Sequence, residues 1–134
     1  MEKVYPVDIA LMNQREDALA GENLGWRLET TVLNHLIRKC KVDGMDVYYL
    51  NERYGECDFV VCKGNKVVQC IQVSYDITSN TTRKREINGL LLAAKRTKCD
   101  NLLLLTDHQY EETEADGKKI KIQPVYEWCI ENSK

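Results

Sequence analysis

A helix-borne glutamate, a strand-borne aspartate and a polar tripeptide on the following strand set out the chemistry this chain can be asked about. Glu29 falls in a stretch of helical periodicity, Asp58 in a strand-like run, and Gln72-Val73-Ser74 in the next strand-like run, with thirteen residues between Asp58 and Gln72. Glutamate, aspartate and an E-x-K tripeptide in that arrangement are the ingredients of a Mg²⁺-dependent phosphodiesterase. The hard cation takes carboxylate oxygens and makes hydroxide available near neutral pH. The lysine orients the attacking water and stabilises developing negative charge. Here the tripeptide reads Gln-Val-Ser. Gln72 keeps an amide oxygen but no charge, and Ser74 donates a hydrogen bond but carries no cation. Loss of one well-placed electrostatic donor typically lowers a rate on the order of 10²–10³-fold. Restoring Gln72→Glu and Ser74→Lys together is expected to strengthen metal binding. Asp-x₁₃-Gln is also what a strand cap, a polar filler and a solvated helix carboxylate would produce.

The elements that must position these residues are legible in the periodicity. From Trp26 to Lys39 apolar residues recur at Leu28, Val32 and Leu36, a helix with Glu29 at the edge of its buried face. Met45–Leu50, Cys57–Cys62 and Val67–Tyr75 read as three strands, with a turn over Asn51–Gly55 and a hairpin signal at Lys63-Gly64-Asn65-Lys66. A second helix spans about Thr81–Thr97, with Ile87, Leu90, Leu91 and Ala94 on one face. Asn101–Leu105 is a short apolar run suited to a strand buried on both faces. Asp107–Gly117 reads as an acidic loop ending in an Asp-Gly turn, Ile120 and Ile122 alternate as a last strand, and Val125–Ile130 forms a short terminal helix. Upstream, Val4–Leu11 is β-prone and residues 12–24 read as loop or a weak helical turn. The order predicts a single α/β domain over 1–134, a mixed sheet with helices packed on it.

Register is the sharp test of the site. A two-residue Gly64-Asn65 turn would set Asp58 opposite Ile71 and turn it to the wrong face. For Asp58 and Gln72 to meet, the hairpin needs an odd-length loop or a bulge. By alternation Val68, Cys70, Gln72 and Ser74 share one face, and Val67, Ile71, Val73 and Tyr75 the other.

Composition narrows the function classes. Nineteen basic and twenty-one acidic residues leave a net charge of -2, so nucleic-acid binding requires a local basic face. The six cysteines form no C-x-x-C pair and only two histidines occur, which disfavours zinc and fits a reducing, cytoplasmic setting. No run approaches the ~20 apolar residues of a membrane helix. The local basic face, if there is one, lies on the second helix: Arg83, Lys84, Arg85, Lys95, Arg96 and Lys98. The last three suit the negative end of a helix dipole. Arg83 starts the apolar stripe, just after the strand bearing Gln72 and Ser74, so it can stand in for the absent lysine, contact a phosphate or pair with Glu86. Lys84 and Arg85 are the neighbouring candidates for nucleic-acid contact.

Four segments occur in order: Val4-Tyr5-Pro6-Val7-Asp8-Ile9-Ala10-Leu11, Gly25-Trp26-Arg27-Leu28-Glu29, Gly55-Glu56-Cys57-Asp58-Phe59-Val60-Val61 and Ile71-Gln72-Val73-Ser74-Tyr75. Together they resemble the C-terminal domain found on many prokaryotic AAA-type ATPases, itself similar to the PD-(D/E)XK, or restriction-endonuclease-like, nucleases. The resemblance runs over nearly the whole chain. It implies a restriction-endonuclease-like mixed sheet, with Glu29 and Asp58 at metal-ligand positions and Gln72 and Ser74 at the second-ligand and lysine positions. No G-x-x-x-x-G-K-[ST] occurs, so the expectation is the C-terminal part of a longer ATPase. Three readings follow: a degenerate nuclease-like module that binds nucleic acid or regulates an ATPase, with Mg²⁺ held weakly if at all; an active Mg²⁺-dependent DNA endonuclease whose cation has moved to Arg83, Lys84 or Arg85; and a protein–protein scaffold.

Overall fold

The computed structural model describes residues 4–6, 23–52 and 55–133. Among these residues seven strands form one mixed sheet with helices on both faces. In chain order the elements are β1 (Val4–Pro6), α1 (Asn23–Asp43), β2 (Asp46–Glu52), β3 (Gly55–Lys63), β4 (Lys66–Val73), α2 (Asn80–Thr97), β5 (Leu102–Thr106), β6 (Glu111–Ala115), β7 (Lys118–Pro124) and α3 (Val125–Glu131). The strands lie in the order β1-β2-β3-β4-β5-β7-β6. β2, β3 and β4 are the expected antiparallel meander. β4, β5 and β7 run parallel, and β6 returns antiparallel beside β7. Of the β-prone Val4–Leu11 only the first part is described, as β1; Val7–Leu11 and residues 12–22 of the expected loop lie outside the described residues, and the end of that loop, Asn23 and Leu24, opens α1 instead.

α1 forms because its apolar residues repeat at helical spacing, and Val32, Leu33, Leu36 and Cys40 bury that stripe against Phe59, Val61, Ile71, Val73, Leu103 and Leu105. It runs past the predicted end at Lys39 and stops at Gly44, whose φ of +70° suits a residue without Cβ. There the Met45 N–H donates back to the Cys40 carbonyl at 2.8 Å, a capping bond of the kind that closes many helices. α2 covers the other face, packing Leu90, Ala93 and Ala94 over Leu50, Cys57, Val60, Cys70, Leu102 and Leu104. β5 is buried from end to end, its leucines alternating between the two cores, as its continuous apolar run requires.

The acidic segment expected to be loop contains strand β6. Its sequence, Glu-Glu-Thr-Glu-Ala, is exposed and poor in β-branched residues, so no strand signal stands out. It is a strand by pairing along β7, which sets Glu112 opposite Lys121 and Glu114 opposite Lys119, while Arg83 of α2 binds Glu111. Opposite charges across antiparallel strands stabilise by roughly 0.2–1 kcal/mol each, and charged side chains blunt an exposed edge. The Asp116-Gly117 turn of the hairpin is where the sequence puts it, with positive φ at both residues.

Candidate functional site

Two bulges decide the geometry around Asp58. The Gly64-Asn65 turn is indeed two residues long and starts β3 and β4 in the register that would misplace Asp58: Lys63 faces Lys66 and Cys62 faces Val67. The next pair is Val61 with Gln69, so Val68 is an extra residue on β4. From there on the pairing sums shift by one, Val60 with Cys70 and Phe59 with Ile71, which carries Asp58 opposite Gln72. The same bulge reverses the expected faces of the two valines: Val67 packs with Cys70 under α2, and Val68 with Ile71 under α1. On the far side of β3, Tyr48 faces Val60 while Leu50 faces Cys57, so Asp58 and Phe59 together span the single residue Tyr49. Bulges of this kind re-aim side chains. Cys57 thereby joins the α2 core, although Phe59, two residues on, packs under α1.

The Gln72 side chain takes the backbone of Asp58, and the Asp58 side chain that of Val73, the residue after Gln72. The Asp58 N–H donates to Gln72 Oε1 at 2.8 Å, and the Val73 N–H donates to Asp58 Oδ2 at 2.8 Å. Gln72 Nε2 donates to the Glu56 carbonyl at 3.0 Å and to the Glu86 carbonyl at 3.3 Å. Gln72 is 3% exposed, and a buried amide needs such partners to offset its desolvation. Ser74 follows at the carboxyl end of β4, where its N–H continues the parallel pairing by donating to the Leu105 carbonyl at 2.9 Å. The corner lies in the last residues of β4, at the carboxyl-end side of the parallel strands, the side of an α/β sheet on which ligand crevices form.

Glu86 and Gly89 belong to this corner and were not singled out as site residues from the sequence. Burial pushes the Glu86 carboxyl up to about 7, nearby Asp58 and Glu56 add to the rise, and Arg85 opposes it. Arg85 reaches Glu86 at 3.6 Å, so the partner of Glu86 is Arg85 and the expected Arg83–Glu86 pairing does not form. Arg83 instead makes a two-pronged ion pair with Glu111 of β6. A Cβ at Gly89 would stand 2.1 Å from Gln72 Nε2 and 2.4 Å from the Glu56 carbonyl oxygen. An isolated glycine in a helical pattern is the one local hint, and it does not discriminate: Gly25 in α1 is equally isolated and meets nothing within 4 Å.

Glu29 is buried on α1, the layer on the opposite face of the sheet from α2. Among the described residues no three His, Cys, Asp or Glu side chains group closely enough to hold a metal ion. Mg²⁺ favours charged oxygen donors in near-octahedral array. At the corner of Asp58 and Gln72 it would meet an amide already bonded on both ends and a carboxylate oxygen already accepting a backbone N–H. The donor set does not suit a resident cation; these residues instead tie strand to strand and sheet to helix.

Residues 24–128 match the family model described as a domain of unknown function, DUF4143. The chain belongs to this family. The matched span runs from the start of α1 into α3 and so takes in the whole Asp58–Gln72 corner, Glu29 and Gly89. The chain is also 30% identical over 115 residues to the uncharacterized protein MJ1544 of Methanocaldococcus jannaschii, an alignment covering 81% of this chain and 25% of that protein. It thus spans a quarter of the length of the curated relative it matches. Within this DUF4143 domain no helix of the described residues is long and apolar enough to cross a membrane.

Proposed function

We propose that this domain is a degenerate nuclease-like module of the restriction-endonuclease type, acting as a nucleic-acid-binding or regulatory domain of an AAA-type ATPase in the cytoplasm. The observation that carries the reading is the pairing of Asp58 with Gln72 beside Ser74, at the carboxyl end of β4. These are the positions where the nuclease resemblance expects two carboxylates and a lysine. The strand register needed for such a site is kept, while the second ligand charge and the cation are gone. The mixed sheet with its β2-β3-β4 meander between α1 and α2 is compatible with that scaffold. The greater length of the archaeal relative supports reading the domain as one module of a larger protein.

Nucleic-acid contact in this reading falls to Lys84 and Arg85, both exposed on α2, while Arg83 is held by Glu111. The alternative of an active Mg²⁺-dependent endonuclease draws on Arg85, whose guanidinium stands beside Glu86, a carboxyl that also feels Asp58.

The test is incubation with single-stranded and duplex DNA in Mg²⁺ or Mn²⁺, followed by gel-shift at low and physiological salt. The expected result is intact DNA with salt-sensitive binding that weakens in Lys84→Ala and Arg85→Ala, more than in Arg83→Ala. Metal-dependent cleavage abolished by Asp58→Ala would overturn the degenerate reading in favour of the active enzyme. Absence of binding to any nucleic acid at low salt would leave the regulatory, protein-docking role.

A further inference from the structure

The Gln72 amide joins three elements at once: its oxygen accepts from β3 at Asp58, and its nitrogen donates to β3 at Glu56 and to α2 at Glu86. From this geometry we infer that position 72 is a neutral clamp between β3, β4 and α2, and that the corner it fills excludes the carboxylate and the divalent cation expected there from the nuclease resemblance. The inference rests on the nuclease-like reading only for the expectation it opposes; the clamp itself stands on the hydrogen bonds.

The argument is one of donors and acceptors. An amide offers one accepting and one donating end, and this pocket presents one N–H and two carbonyls, a match in number and sign. An ionised carboxylate can only accept. One of its oxygens would take the Asp58 N–H, and the other would face the Glu56 and Glu86 carbonyl oxygens across the 3.0 and 3.3 Å now spanned by N–H bonds. The Asp58, Glu56 and Glu86 carboxylates already crowd the corner with negative charge, with Arg85 to offset them.

A cation does not relieve this conflict. Between Gln72 Oε1 and Asp58 Oδ2 it would have to share both oxygens with the Asp58 and Val73 N–H groups, whose positive ends already point at them. Room for its water shell is lacking on the helix side as well. Gly89 brings the backbone of α2 so close that even a methyl group would overlap the amide. The close approach of α2 and the neutrality of residue 72 are therefore two halves of one arrangement.

The decisive measurement is thermal unfolding of Gln72→Glu with and without millimolar Mg²⁺ or Mn²⁺, beside the unmodified protein. The expected result is a melting temperature lower by roughly 10 °C, from bonds lost and a buried charge left without donors, and equally low in the presence of metal. A variant as stable as the unmodified protein, or one that metal stabilises while leaving the unmodified protein unmoved, would overturn the clamp. Gln72→Met covers the case in which Gln72→Glu fails to fold. Without a charge it is expected to fold with a smaller loss, and a melting temperature at or above that of the unmodified protein would count against the inference. A third readout needs no substitution: the Gln72 side-chain amide protons should exchange with D₂O more slowly than those of free glutamine, and exchange at the free rate would refute the clamp. Cleavage by the unmodified protein would remove the functional reading, whereas these stability and exchange measurements decide the clamp by themselves.

Discussion

Replacing Gly89 by alanine separates a glycine kept for contact from one merely tolerated in a helix. On propensity alone, Gly→Ala inside a helix stabilises by about 1 kcal/mol. In α2 the new methyl would lie 2.4 Å from the Glu56 carbonyl oxygen, a backbone atom of β3 that cannot swing aside, and 2.1 Å from Gln72 Nε2. Relieving such overlap by shifting helix from sheet typically costs about 1–3 kcal/mol. If the amide turns away instead, it gives up three hydrogen bonds, each about 1 kcal/mol net. Set against the propensity gain, these routes leave a net loss of up to about 2 kcal/mol. At this chain length that lowers the melting temperature by roughly 5–10 °C. Gly25, on α1, is the internal comparison: a Cβ there meets nothing within 4 Å, and Gly25→Ala is expected to stabilise by up to about 1 kcal/mol. Urea unfolding of both variants is the assay. A Gly89→Ala protein as stable as Gly25→Ala would refute the packing argument and with it the tight seat of the Gln72 amide.

Glu86→Gln should make the domain more stable at pH 8 than the unmodified protein, with the difference vanishing near pH 4. The carboxyl is raised from an ordinary 4.5 to about 7 in the folded state, so the folded protein binds the extra proton and stability declines as pH rises between those values, by about 3 kcal/mol at most. Urea midpoints at several pH values check the sign; a gain that grows on acidification would contradict it. On the β6–β7 hairpin, Glu112→Lys and Glu114→Lys each place like charges opposite Lys121 and Lys119, and each should lower stability by about 0.5 kcal/mol, less at high salt. Equal effects at low and high salt would show that charge pairing does not hold β6 in place.

The sequence by itself determined the elements that bury their own residues. Val32 and Leu36 on α1 and Leu90 and Ala94 on α2 recur at a spacing that puts them on one helix face, and the short unbroken run of β5 leucines suits a strand buried on both, so helices, meander and central strand were readable from the chain alone. It also marked Asp58 and Gln72 as the residues to watch, and the condition for their meeting. Whether that condition holds was a matter for the tertiary structure. A two-residue hairpin with a bulge at Val68 and one without differ by no local signal, because the extra residue is stabilised by the cores on either side of the sheet. β6 was invisible for a related reason: its glutamates have no strand preference and become a strand only when the lysines of β7 lie alongside. The same holds at the corner itself. Glu86 has a carboxyl raised by burial against β3, and Gly89 is needed only because a strand carbonyl and an amide come within reach of α2. Contacts between elements far apart in sequence have no period, and they alone decided that Gln72 acts as a clamp between strands and helix.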